Sequence, residues 1–105
     1  MAQFDVYINP QPASRHFVPY VVDVQSDLIS QLTTRLVMPL SRVGAKQVKL
    51  PPNLCPVVEI ESERLALLPH LAAPVASRLL SHPVMSLRHR ASEVAAALDA
   101  VTSGF

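Results

Sequence analysis

Leu87-Arg88-His89-Arg90-Ala91-Ser92-Glu93-Val94-Ala95-Ala96-Ala97-Leu98-Asp99-Ala100-Val101 is the stretch that decides the fold class. Leu87, Ala91, Val94, Leu98 and Val101 recur at steps of four, three, four and three, which puts them on one face of a helix. Ala95, Ala96 and Ala97 add helix propensity. Ser86 stands where an N-cap would, His89 and Glu93 form an i,i+4 pair, and Gly104 can end the helix.

Upstream, the pattern is one of strands. Phe4, Val6 and Ile8 alternate with Asp5 and Tyr7, which predicts a half-buried opening strand, and Asn9-Pro10-Gln11-Pro12 ends it in a polar loop. Tyr20 to Val24, rich in β-branched residues, predicts a second strand, and Leu36-Val37-Met38 before Pro39 a third. Pro56-Val57-Val58-Glu59-Ile60 and Arg64 to Leu68 flank the polar link Glu61-Ser62-Glu63 and read as a hairpin, although that link lacks the glycine tight turns favour. A further strand is expected between Val75 and Leu80. Strands followed by one terminal helix make an α+β domain. The 105 residues fit a single domain, 1–105, with one core.

Half the residues are hydrophobic and only 5% aromatic, so the core must be built mainly from Val, Leu, Ile and Ala. A mean hydropathy of +0.28 leaves apolar surface after folding, which suits a subunit or partner interface. Nine basic against eight acidic side chains give a formal charge of +1, too even for a protein that grips a bare nucleic-acid backbone. The most apolar stretch, Leu65 to Ala76, is interrupted by Pro69 and Pro74 and is too short to span a membrane. Met-Ala-Gln-Phe-Asp carries no signal-peptide pattern, and Cys55 is the only cysteine, so a cytoplasmic protein without an internal disulfide is expected.

Few groups suggest chemistry. Asp23 and Asp27 are candidates for a carboxylate pair, but a strand residue and a turn cap explain them without catalysis. His16, His70, His82 and His89 are widely spaced, and Cys55 opens an apolar strand, where a small buried hydrophobe is the usual role. Arg88, His89 and Arg90 make a short basic cluster at the head of the helix, where positive charge opposes the helix dipole. No glycine-rich phosphate loop or metal-ligand cluster accompanies them, so no cofactor is expected.

The run Val22-Asp23-Val24-Gln25-Ser26-Asp27-Leu28 closely resembles the strand-and-turn signature of the CcdB family, the toxin half of plasmid and chromosomal toxin–antitoxin modules. Gln3-Phe4-x-Val6-Tyr7 is similar to the family's opening strand, Arg35-Leu36-Val37-Met38-Pro39-Leu40 to its next block, and Leu54-Cys55-Pro56-Val57-Val58-x-Ile60 to its central strand. Leu87-x-His89-Arg90, the Ala-rich helix and the penultimate Gly104 resemble its ending. The order and near-constant spacing of these blocks make the match specific.

The resemblance implies an antiparallel five-stranded sheet forming an SH3-like, partly open barrel, with a small accessory sheet and one C-terminal helix. It implies a homodimer that binds the DNA gyrase A subunit once DNA has been cleaved and traps the cleaved complex, with double-strand breaks as the result. A cognate antitoxin with a disordered C-terminal segment removes the toxin. No direct nucleic-acid or membrane binding and no catalysis are implied. The gyrase-binding positions carried over are Leu28, Ile29, Asp99, Thr102, Ser103, Gly104 and Phe105. Asp99 stands where Asn is common, and Ser103 and Phe105 stand where the best-known member has Trp and Ile. A second departure is Ala73-Pro74-Val75, since the family's Val-Pro-Val step is expected about two residues later. Two alternatives stay open: a degenerate toxin that binds only its antitoxin, and an endoribonuclease of the same fold, which needs a basic groove and a positioned acid or base.

Overall fold

The structure is a computed structural model and describes residues 2–27, 31–42 and 55–103. Five strands, β1 (Asp5–Ile8), β2 (Tyr20–Asp23), β3 (Thr34–Arg42), β4 (Val57–Ile60) and β5 (Glu63–Leu67), pair antiparallel in the order β4-β5-β3-β2-β1. The two-residue β7 (Met85–Ser86) joins the free side of β1, and β6 (Ala73–Ala76) pairs with the first half of β3. The sheet curls into a nearly closed, SH3-like barrel, and one helix, α1 (Ala91–Ser103), follows it. This is the expected α+β class, with the accessory part represented by the single strand β6.

Register puts alternate residues on opposite faces. Val6, Val22 and Met38 stand side by side across β1, β2 and β3 and are wholly buried in the barrel interior with Leu40, Ile60, Leu65 and Leu67. Their neighbours Tyr7, Val21 and Val37 face the other way and form a smaller cluster with Leu80. α1 lays Val94 and Ala97 into the main core, with Ala91 and Leu98 beside them. The predicted helical stripe is therefore correct in its middle and departs at both ends. Leu87 is buried but precedes a 3₁₀ turn at Arg88–Arg90, and Val101 is 38% exposed. Ser86 Oγ accepts the N–H of Arg88 at 3.1 Å, so it caps that turn rather than α1.

Three other expectations change. The third strand does not stop before Pro39 but runs nine residues through it. The far edge of β3 is shared: Thr34–Val37 pair with β6 and Leu40–Arg42 with β5. Pro39 sits in the gap, where no ladder partner needs its missing N–H, and its carbonyl accepts Leu68 N–H at 3.0 Å. The strand expected between Val75 and Leu80 lies earlier, at Ala73–Ala76, and Ser77–Leu79 is a 3₁₀ turn that delivers Leu80 to the second cluster. Pro74 pairs with Leu36, and by alternation its nitrogen points to the outer edge of β6. Last, the β4–β5 hairpin closes through two residues, since Ile60 pairs with Glu63.

Those two residues, Glu61 and Ser62, have φ of 51° and 66°. Both central residues of a type I′ turn need positive φ, which costs a residue with a Cβ about 1 kcal/mol or more. The double substitution Glu61→Asn, Ser62→Gly is expected to stabilise the fold by roughly 1 kcal/mol. A higher urea midpoint at unchanged slope checks this; a lower midpoint would contradict the turn assignment.

Candidate functional site

The signature segment is a polar knot at the end of β2. Asp23 is fully buried, and its Oδ2 accepts Arg35 Nε at 2.7 Å across to β3, Arg35 being only 1% exposed. Asp23 Oδ1 takes the N–H of Gln25 at 3.0 Å, which bends the chain as an Asx turn does. Gln25 then serves both strands: its backbone carbonyl accepts Arg35 Nη2 at 3.4 Å and its side-chain oxygen accepts Leu36 N–H at 3.1 Å. Arg35 Nη1 is buried with no hydrogen-bond partner among the described residues. Desolvation pulls the Arg35 guanidinium down, but the hydrogen bond and charge of Asp23, then Asp27, more than offset it and hold it above its ordinary value.

Asp27 lies at the outer end of this knot, half exposed. Its Oδ1 accepts the backbone N–H of Gln3 at 2.9 Å and lies 3.6 Å from Arg35 Nη2, while Oδ2 is 4.0 Å from Arg88 Nη2. Gln3 is held as well, by its own Nε2 on Val24 O at 3.2 Å and by Arg88 Nη2 on its carbonyl at 3.1 Å. Arg88 also stands 5.9 Å from the ring centre of Phe4, a residue bent to φ 73°.

The predicted contact residues at the chain's far end share the outer end of α1. Asp99, Thr102 and Ser103 are all exposed. Thr102 Oγ1 donates to Leu98 O at 3.0 Å and Ser103 Oγ to Asp99 O at 2.6 Å, so both hydroxyls are bonded back to their own helix. Leu28, Ile29, Gly104 and Phe105 lie outside the described residues.

The catalytic candidates do not converge. Asp23 and Asp27 both hold Arg35 rather than facing a substrate cavity. Cys55 is buried, and burial pushes its thiol up, the reverse of nucleophile activation. His16, His70, His82 and His89 are exposed. Among the described residues no three His, Cys, Asp or Glu are placed to hold a metal. A cavity of about 230 Å³ is lined by Val21, Val37, Pro39, Leu71 and Val75, and another of about 310 Å³ by Tyr7, Ile8, Arg15, Leu79 and His82; neither contains an Asp or Cys.

The basic cluster proves structural in part. Arg90, rather than His89, pairs with Glu93, through bonds of 2.5 and 2.7 Å, and its Nη2 reaches Val57 O on the outer edge of β4 at 3.2 Å. The Arg90 hydrogen bond holds the Glu93 carboxyl below its usual range. Arg35 and Gln25 escaped the sequence reading as working residues. The available signal was an acid inside one apolar run, Val22-Asp23-Val24, and a base opening another, Arg35-Leu36-Val37.

Removing one member of a buried ion pair strands the other. Asp23→Ala is therefore expected to cost about 3–5 kcal/mol of stability, and Asp23→Leu with Arg35→Met to recover much of it. Denaturant unfolding of both variants checks this, and a loss below about 1 kcal/mol in Asp23→Ala would show that the pair is not the anchor.

The chain matches the CcdB protein family over residues 3–104, nearly its whole length. No curated protein matches it. Among the described residues no helix is long and apolar enough to cross a membrane. The match takes in the opening strand, the signature turn, the barrel and α1, and the chain therefore belongs to the CcdB family of toxin–antitoxin toxins.

Proposed function

We propose that this protein poisons DNA gyrase by binding and performs no chemistry of its own. As a homodimer in the cytoplasm, it enters the dimerisation domain of the gyrase A subunits after DNA cleavage and holds the cleaved complex open. A cognate antitoxin reverses this with its disordered C-terminal segment. The observation that carries the reading is the family match over residues 3–104. The exposed outer end of α1 supports it, because Asp99, Thr102 and Ser103 do no packing for the core. The contact residues are Leu28, Ile29, Asp99, Thr102, Ser103, Gly104 and Phe105.

Exposed Ile8, Phe17, Leu71 and Leu79 supply the apolar surface a second copy needs. A two-fold dimer presents paired helix ends to a two-fold target. The endoribonuclease alternative finds less support, since Asp23 is committed to Arg35 and Cys55 is buried. The degenerate-toxin alternative rests on Ser103, whose small side chain offers no stacking and whose hydroxyl is already bonded to Asp99 O.

Deleting residues 103–105 from the purified protein is expected to leave the melting temperature nearly unchanged and to weaken binding to a gyrase A fragment at least about tenfold. Ser103→Trp is expected to strengthen binding and raise the yield of trapped cleavage complexes. Unchanged binding after a well-folded deletion would remove the tip from the mechanism. RNA cleavage by the wild-type chain, abolished by Asp27→Ala, would replace the gyrase reading with the ribonuclease one.

The dimer is checked separately. Light scattering at micromolar concentration is expected to give twice the 11.5 kDa chain mass without any partner. A monomer mass would remove the paired-helix geometry.

A further inference from the structure

We propose that the cavity of about 310 Å³ beside β1 binds a small aliphatic carboxylate, its charged end held by Arg15 and the Tyr7 hydroxyl and its chain lying between Ile8 and Leu79. The wall joins three parts of the chain: Tyr7 and Ile8 at the end of β1, Arg15 in the loop that follows, and Leu79, Ser81 and His82 in the segment before β7. Tyr7 is only 2% exposed, and it clusters with Val21, Val37 and Leu80. Its hydroxyl makes no hydrogen bond among the described residues. It is not sealed inside the protein either, since among the described residues Arg35 Nη1 alone is both buried and unpaired. A buried ring whose hydroxyl is unbonded and accessible at a cavity wall holds a donor ready for a group from outside the chain.

The wall selects the charge of its occupant. Burial, then the charges of Asp5 and Asp23, push the Tyr7 phenol up against the weaker pull of Arg35, so it stays protonated and donates. Arg15 Nε is fixed on Asn9 O at 2.6 Å, and its remaining N–H groups have no hydrogen bond or ion pair among the described residues. Ser81 adds a hydroxyl and His82 a ring N–H. Ile8 adds a backbone donor. Strand alternation turns its N–H to the side where Val6 O takes Val84 N–H, and the pairing with β7 ends at Val6. Asp5 and Asp23 act on Tyr7 from a distance, but no acid lines the cavity. Convergent donors around one guanidinium suit a carboxylate, which the planar edge of an Arg matches. Ile8 and Leu79, 55% and 48% exposed, supply the apolar strip for a short chain. The volume stands at the low end for ligand sites and fits one small acid.

The test titrates the full chain at neutral pH with hexanoate, hexanamide and hexylammonium and follows backbone amide chemical shifts. Hexanoate is expected to give saturable shifts centred on Ile8, Ser81 and His82. Hexanamide, which keeps the chain and loses the charge, is expected to bind at least about tenfold more weakly, and hexylammonium not at all. Arg15→Gln is expected to weaken hexanoate binding at least about tenfold and Tyr7→Phe at least about threefold. Tyr7→Phe is also expected to keep the wild-type melting temperature, because the hydroxyl it removes bonds nothing in the protein. Shifts that fail to saturate by about 10 mM hexanoate overturn the site. Equal binding of hexanoate and hexanamide overturns the carboxylate as the recognised group. Wild-type affinity in both Arg15→Gln and Tyr7→Phe overturns the assignment to this cavity. A Leu-terminated tripeptide with a free carboxylate that binds more tightly than hexanoate gives the site to a peptide end and overturns the small acid.

Discussion

The Arg35–Asp23 pair constrains everything around the signature turn. Two opposite charges leave water together, at 1% and 0% exposure, and neither tolerates the loss of the other. Their bond runs from Asp23, in the last β2–β3 pair, to Arg35, two residues before its pairing partner Val37 on β3. The chain just after Asp23 bends so that Gln25 serves Arg35 and Leu36 simultaneously. Asp27 then falls within reach of Gln3, and the opening strand is bound to the turn. An acid that looked like a candidate catalyst is thus the base of a scaffold.

How much of this was legible in the sequence depends on whether the signal was local. The C-terminal helix declared itself because Val94 and Leu98 recur at helical spacing among alanines, and the burial of Val94 follows from that stripe, whereas Ala97, legible only as a helix former, is buried beside it. The exposed helix end carrying Asp99, Thr102 and Ser103 was legible in the same way. Strand β3 was legible only as far as Pro39, because a proline's tolerance depends on which edge of which neighbour it faces. That information lies in the change from β6 to β5 pairing, more than twenty residues downstream. The Arg35–Asp23 bond spans twelve residues and has no periodic mark. The hairpin turn was found, but its two-residue geometry was obscured because Glu61 and Ser62 occupy positions usually held by Asn and Gly.

The barrel supplies stiffness through wholly buried Val6, Val22, Met38 and Leu40, and α1 is seated on it by Val94 and Ala97. Arg90 adds a strut from the start of the helix to the outer edge of β4, where the sheet would otherwise present an unpaired carbonyl. The helix end is thereby free of packing duties while the helix base is fixed. Cys55 and the histidines fit this division of labour: the thiol packs, and the imidazoles face solvent.

The pairing of β1 with β7 joins Asp5 to Ser86 and Val6 to Met85, and Leu87 N–H closes on Phe4 O at 2.8 Å. β1 therefore gains this neighbour only from a strand far downstream in the sequence. At about 5–20 residues per second of synthesis, several seconds separate the emergence of β1 from that of β7. During that interval the interior that Val94 and Ala97 will seal is still open. A chain without Val94 and Ala97 lacks the two side chains by which α1 covers that core. Closure of this core therefore waits on both β1 and α1, which the sequence holds far apart.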